Sequence, residues 1–222
     1  MGTLSDVNTL KDENAVYYAG LSSGVFPKAR SLQTGVSVRC VQELGKQWFV
    51  LRATYGRVGK AYDFITEDHT DVYIPMHYVE RLVNGKKKRI LEPMLPSLLF
   101  VYATKEKVET YIKQTPALSF LNYYYDHFKV GVDGKNPPLT VGFDEMMNFI
   151  RLTSVDNEHI KVVQSNLCRY KSGDRVRIME GDFEGIEGRV ARVAGQQRVV
   201  IEIEGLCTIA TAYIPSAFLK VI

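Results

Sequence analysis

The stretch from Lys171 to Gln197 constrains the fold more than any other. It reads Gly173-Asp174-Arg175-Val176-Arg177-Ile178, then Gly181-Asp182-Phe183-Glu184-Gly185, then Gly188-Arg189-Val190. Val176, Ile178 and Val190 alternate with polar residues at the period of a strand, and a glycine stands wherever the alternation breaks. The expectation is a strand, a tight loop and a second strand. The glycines would take positive φ or allow close backbone approach, and Phe183 would plug the end of a small barrel.

A chain of 222 residues with 45% hydrophobic content has room for two modest globular domains. It contains no apolar run of about 18 residues and no apolar core of a signal peptide at its N-terminus, so no membrane span is expected. Cys40, Cys168 and Cys207 form neither a CxxC pair nor an even disulfide framework, which fits a reducing cytoplasm. The 28 basic and 25 acidic residues leave a net charge of +3, too balanced for wholesale phosphate binding. Any nucleic-acid contact must therefore be local.

Residues 1–45 are rich in Ser, Gly, Asn and Thr and are expected to be a partly disordered extension, with short strands at most at Val16-Tyr17-Tyr18 and over residues 36–41. The run Gln47-Trp48-Phe49-Val50-Leu51-Arg52-Ala53 is expected as a buried strand ending at Tyr55-Gly56. A helix over Arg57 to Glu67 follows from the spacing of Val58, Tyr62 and Ile65. Then come a strand over Asp71 to Val79 and a hairpin from Tyr78 to Leu91 turning at Asn84-Gly85. Leu98 to Tyr102 is a further core strand, and Thr104 caps a helix that turns Val108, Tyr111 and Ile112 inward and stops at Pro116. Strands over Leu118 to Tyr125 and near Lys129 to Val132 precede a helix from about Phe143 to Leu152.

The order β-α-β-β-β-α-β-α predicts an α+β chain: over residues 46–152, an α/β sandwich in which an antiparallel sheet is flanked by helices. A polar linker over 153–167 leads to a small glycine-rich barrel over 168–222, completed by strands at Arg198 to Glu204, Thr208 to Ile214 and Leu219 to Ile222.

The glycine-rich hairpin resembles the KOW motif, carried here by Gly173, Asp174, Val176, Ile178, Gly181, Phe183, Gly185, Gly188 and Val190, and the resemblance implies that the barrel over 168–222 is an SH3-like β-barrel. With the Trp48-Phe49-Val50-Leu51 strand, the Tyr55-Gly56 turn before a helix, the basic hairpin and the Pro96-containing strand entry, residues 46 to 222 resemble the NusG family of transcription elongation factors, whose first domain is the NGN domain. In that family the later strand begins Phe-Pro-Gly-Tyr, whereas here it begins Leu95-Pro96-Ser97-Leu98. That departure and the N-terminal extension point to a specialised paralogue of the RfaH or UpxY type, which acts on long operons such as those for capsular polysaccharide.

The resemblance implies a binding protein and no enzyme. Its first domain would hold the coiled-coil clamp helices of the largest RNA polymerase subunit, favour the closed clamp, and so suppress pausing and termination. The candidate polymerase-binding residues are Trp48, Tyr55, Leu95, Pro96 and Leu98, because a helix docks into an apolar groove. Trp48 and Leu98 fit core positions equally well. Nucleic-acid candidates, facing non-template DNA or leader RNA, are Arg52, Arg57 and Lys60 around the first helix, where a solvated face is the plainer account, and Lys86-Lys87-Lys88-Arg89 at the hairpin tip, where solvated charge is an equal one. Tyr123 and Tyr125 share one strand face and Tyr124 takes the other, which suits mixed packing better than base stacking by these with His127 and Phe128. In the barrel, Arg175, Arg177, Phe183 and Arg192 are candidates to meet RNA or protein, and the resemblance implies recruitment of a small-subunit ribosomal protein or Rho.

His69, His77, His127 and His159 are dispersed with no zinc spacing, and neither a phosphate loop nor a nucleophile elbow occurs, so no metal, cofactor or catalysis is expected. The β-branched Val199-Val200-Ile201 and Ile203 oppose a helical form of the C-terminal region, so a permanent barrel is expected. The family resemblance favours a monomer. The alternative class is a ribosome-associated or RNA-binding KOW protein, whose binding would depend on Arg and Lys and fall steeply with salt.

Overall fold

The computed structural model describes residues 41–155 and 159–222, so the expected strands at residues 16–18 and 36–40 lie outside the described residues. Strand β1 (Gln47–Ala53) sits inside an antiparallel sheet ordered β2-β5-β1-β6, with β2 at Asp71–Tyr73, β5 at Leu98–Ala103 and β6 at Leu121–Tyr123. Its side chains alternate. Phe49, Leu51 and Ala53 meet helices α1 (Val58–Glu67) and α2 (Lys105–Lys113), while Trp48 and Val50 meet helix α3 (Phe143–Thr153). Both faces are covered, and all six residues of β5 are buried, which is why the strands read as unbroken apolar runs.

Local signals hold in the helices. Val58, Ala61, Tyr62 and Ile65 give α1 its buried stripe. Thr104 Oγ1 accepts the Lys107 N–H at 3.3 Å and starts α2. Asn84 (φ 51°) and Gly85 (φ 75°) both take positive φ in the turn joining β3 (Met76–Val83) to β4 (Lys86–Pro93), as a type I′ hairpin requires.

Two expected strands need correction. The strand expected over Asp71 to Val79 is two, because Pro75 has no N–H to give a ladder; the chain leaves the main sheet there and β3 and β4 form a sheet of their own. Lys129 to Val132 is not a strand: the chain doubles back, with the Gly131 N–H donating to Lys135 O at 2.8 Å, and Val132 is fully exposed. The sheet is completed instead by β7 (Thr140–Val141), which pairs with β1 at Trp48 and Phe49.

The C-terminal part is an antiparallel sheet ordered β13-β9-β10-β11-β12-β8, made of β8 (Lys161–Val163), β9 (Arg169–Ile178), β10 (Glu187–Val193), β11 (Gln196–Ile203), β12 (Cys207–Tyr213) and β13 (Leu219–Val221). Register shifts at Arg189/Ala191 and Arg198/Val200 curl it. The expected linker over 153–167 is thus partly structural, since Val163 pairs with Thr208 and Lys161 with Ala210. The glycine-rich loop does what its composition implies: Gly181 and Gly185 take positive φ and Phe183 is buried.

The two parts share one core. Trp48, Phe100, Met146, Phe149 and Ile150 from the first part form a single apolar cluster with Ile178, Phe183, Val199, Ile201 and Ile203 from the second. Helix α3 lies between them, touching β1 on one side and β11 on the other. Two clusters stand apart from it among the described residues: the one under α1 and α2, and a small one of Cys168, Ala191, Val193, Val200 and Ala210 on the far side of the C-terminal sheet. A half-buried hydrogen bond spans the junction: the Glu187 N–H donates to Asn148 Oδ1 of α3 at 3.2 Å. Asn148→Ala leaves that N–H without its acceptor, and a loss of about 1–2 kcal/mol is expected in chemical denaturation. An unchanged midpoint would show that water replaces the amide.

Candidate functional site

One end of the main sheet carries an exposed constellation. Where β1 ends, the Ala53 N–H donates to Ser97 O at 2.8 Å and the Thr54 N–H to Phe120 O at 3.0 Å, tying three chain segments together. The next residue, Tyr55, has φ 58° and Ser97 has φ 65°. Left-handed backbone at two residues with a Cβ costs roughly 1–2 kcal/mol each, which the surrounding hydrogen bonds must offset. The product of that strain is a tyrosine 86% exposed at the tip of a rigid sheet. The Arg57 guanidinium lies over the rings of both Tyr55 (5.6 Å) and Phe120 (5.3 Å), and exposed Pro96 adjoins Ser97. Lys60 is exposed one turn further along α1.

The opposite face of the same end carries a second stack. Arg52 lies 5.8 Å from the centre of Tyr124, which meets His127 edge-on at 5.8 Å. Tyr123 and Tyr125 point the other way and contact each other edge to face, as strand alternation predicts. The Tyr123 hydroxyl is buried without a partner, and its pKa is pushed up to about 12, chiefly by burial. Phe120 had no signal in the sequence as a partner for Arg57; only the return of the chain after α2 brings it there.

Trp48, Leu95 and Leu98 are not on this surface. Trp48 is fully buried with its ring 5.2 Å from that of Tyr102, and Leu95 and Leu98 are each 8% exposed within the shared core. Their apolar character serves packing against α3 in this conformation. Of the five apolar candidates, Tyr55 and Pro96 alone are open to a partner here.

The basic run of the hairpin is partly neutralised. Arg81 makes a two-pronged pair with Glu92 (3.1 and 2.9 Å), Lys87 reaches Glu80 at 3.3 Å, and Arg89 lies 4.1 Å over the Tyr78 ring. The Arg81 hydrogen bonds hold the Glu92 carboxyl below its usual range, and burial pushes His77 below its own. Five basic against two acidic side chains still leave β3 and β4 positive. In the C-terminal sheet, Arg177 Nε donates to Glu187 at 2.9 Å and Arg175 sits 3.6 Å from the same carboxylate, whereas Arg192 is exposed. Val176, Ile178 and Phe183 are buried and Val190 half-buried; of Gly173 and Asp174 only the backbone, in β9, is described. Among the described residues no group of three His, Cys, Asp or Glu can hold a metal, and no helix is long and apolar enough to cross a membrane.

The buried Trp48 strand, the strained Tyr55 turn before α1, the isolated basic hairpin and the Pro96 entry into β5 all lie within the segment that matches a known family model. That model is described as transcription termination factor NusG, and it matches residues 46–130. Residues 46–130 are a NusG family domain. Among solved structures the chain is similar to Thermotoga maritima NusG, described under domain interaction in that protein. The identity is 17%, over 80% of this chain and 97% of that one, with a TM-score of 0.38. A NusG family domain is the mark of a transcription factor and not of an enzyme.

Proposed function

We propose that this chain is a transcription elongation and antitermination factor that works by binding. Its NusG family domain would hold the clamp helices of the largest RNA polymerase subunit and keep the clamp closed, so that pausing and termination fall. The observation that carries this reading is the Tyr55 turn: a strained, rigid tip on a NusG family domain offers an aromatic ring and a stacked arginine, the residue types that most often dominate binding energy. Pro96 adds apolar surface beside it. Arg52, Lys60 and the Lys86–Arg89 run would face non-template DNA as a positive margin.

The finer reading is a specialised paralogue of the RfaH or UpxY type acting on long polysaccharide operons. It rests on Ser97, which keeps the left-handed backbone that a glycine would adopt freely at the family's Phe-Pro-Gly-Tyr. The C-terminal KOW sheet, with Arg192 exposed, would recruit a small-subunit ribosomal protein or Rho.

The test is co-elution with core RNA polymerase of the host in moderate salt. Wild type should bind in stoichiometric amount. Tyr55→Ala with Arg57→Ala should bind about tenfold or more weakly with unchanged melting, since both side chains are exposed and each hot-spot truncation costs on the order of 1–2 kcal/mol. Absence of wild-type binding, with salt-sensitive binding to RNA instead, would transfer the assignment to an RNA-binding protein.

A further inference from the structure

A cleft of about 370 Å³ opens beside the start of β1, at the opposite end of that strand from the Tyr55 turn. Such a volume falls within the range of small-molecule sites. Three segments bring its lining together. Strand β7 places Val141 beside Trp48, β5 places Tyr102 on the other side of Trp48, and the chain before β1 folds over Tyr102. There the Glu43 N–H donates to the Tyr102 hydroxyl at 2.7 Å and the Lys46 N–H to Glu43 O at 3.3 Å. The Lys46 ammonium stands 5.9 Å from the centre of the Tyr102 ring. Phe143, the first residue of α3, adds a half-buried ring 5.6 Å from that of Tyr102.

The polar group left unanswered in this cleft is the Trp48 indole. Trp48 is fully buried and lines the cleft, and its Nε1 finds no acceptor among the described residues. A buried indole N–H ordinarily has a partner, and one without it costs stability that a phenylalanine in the same place would not. It calls for an acceptor from outside the chain. The surrounding charges decide which kind. Among the described residues Lys46 is the only charged one lining the cleft, and it is already paired with Glu43 at 2.8 Å. The start of α3, where an anion would otherwise settle, carries Asp144 and Glu145 in its first turn. A carboxylate or phosphate would thus meet three carboxylates and a cation already engaged. The apolar and aromatic side chains of Val141, Phe143 and Tyr102 carry no such penalty.

We propose that this cleft binds a small uncharged planar molecule, an aromatic amide or a heteroaromatic ring, with its flat body against Tyr102 and Phe143 and its carbonyl or ring-nitrogen acceptor on the Trp48 N–H. Nε1 is buried as the cleft stands, so the ligand makes room by moving the Lys46 side chain, whose half-exposed pair with Glu43 holds it weakly. The site is separate from the polymerase-binding surface, and neither depends on the other.

The chain has one tryptophan, so the full-length protein gives one indole N–H resonance, and that resonance is the readout. The probes are benzamide, benzoate and toluene, which share a ring and differ in acceptor and charge. Benzamide should move the resonance downfield along a saturable curve with a Kd of about 1 mM, and benzoate should bind about tenfold more weakly or worse. Toluene should produce no downfield shift. In Trp48→Phe, followed from the ligand side by saturation transfer, benzamide should lose about tenfold in affinity while the toluene signal stays. Where that substitution unfolds the chain, the wild-type resonance alone decides. A resonance that no probe moves, a shift still linear at about 20 mM, or benzoate binding as tightly as benzamide would overturn the proposal.

Discussion

Phe149→Ala is expected to lower the melting temperature of the whole chain in a single transition, by about 10 °C, from a loss of about 3–5 kcal/mol. Phe149 is fully buried at the centre of α3, with its ring 5.2 Å from Phe100 and edge-on to Tyr73 at 6.5 Å. The last turn of the helix is pinned to the same place. Thr153 Oγ1 donates to Phe149 O at 2.8 Å and accepts the Tyr73 hydroxyl at 2.5 Å. Truncation to alanine opens a cavity beneath both sheets at once, and neither can collapse into it without moving the helix that the other rests on. Differential scanning calorimetry decides the matter. Two separate wild-type transitions, only one of them shifted by the substitution, would show that the shared cluster does not couple the two parts. Phe149→Leu keeps most of the volume and should cost roughly a third as much.

Gly188→Val should be as damaging by a different route, with a loss of about 3 kcal/mol centred on the C-terminal sheet. A Cβ at this position would lie 2.5 Å from Val200 O and 2.8 Å from Val199 Cγ1. The nearest atom is backbone of the partner strand, so no side-chain rotation relieves the clash and β10 must separate from β11. Arg189 pairs with Val200 immediately beside the contact, so the register there is lost first. Gly181→Ala is the useful contrast. Nothing lies within 4 Å of its Cβ, and the penalty is the left-handed backbone alone, on the order of 1 kcal/mol. Equal losses at the two positions in urea denaturation would mean that close approach is not what Gly188 provides.

The second effect was visible in the sequence and the first was not. The glycine-rich hairpin demands close approach or positive φ wherever it folds, because the demand arises within a turn or between strands joined by one. The same holds for the Thr104 cap, the Asn84-Gly85 turn and the stripe of Val58, Tyr62 and Ile65, each satisfied within one or two turns of chain. Phe149 carries no comparable signal. Its burial on an apolar helix face was legible, but the second sheet against which that helix packs lies some fifty residues further along.

The candidate site divides in the same way. Tyr55 was recognisable as the end of a strand, whereas its stacking with Arg57 and Phe120 depends on a chain return after α2. Leu95 read as groove, and Trp48 and Leu98 as groove or core alike, because their apolar faces were evident and their cover was not; that cover is α3 and the shared core. Lys161 to Val163 looked like linker because three residues show little periodicity, and they are a strand only by virtue of Thr208 to Ala210 opposite. The long central strands, the three helices, the Asn84-Gly85 turn and the residues with an apolar face were legible in the sequence, since those follow from torsional preference and local periodicity; the short strands β7 and β8 were not. What covers each face was settled only by the tertiary fold: the packing of two sheets around one helix and the burial of Trp48, Leu95 and Leu98. Periodicity records that a face is apolar or charged; which surface completes it depends on contacts between residues far apart in the chain, and no local pattern encodes those.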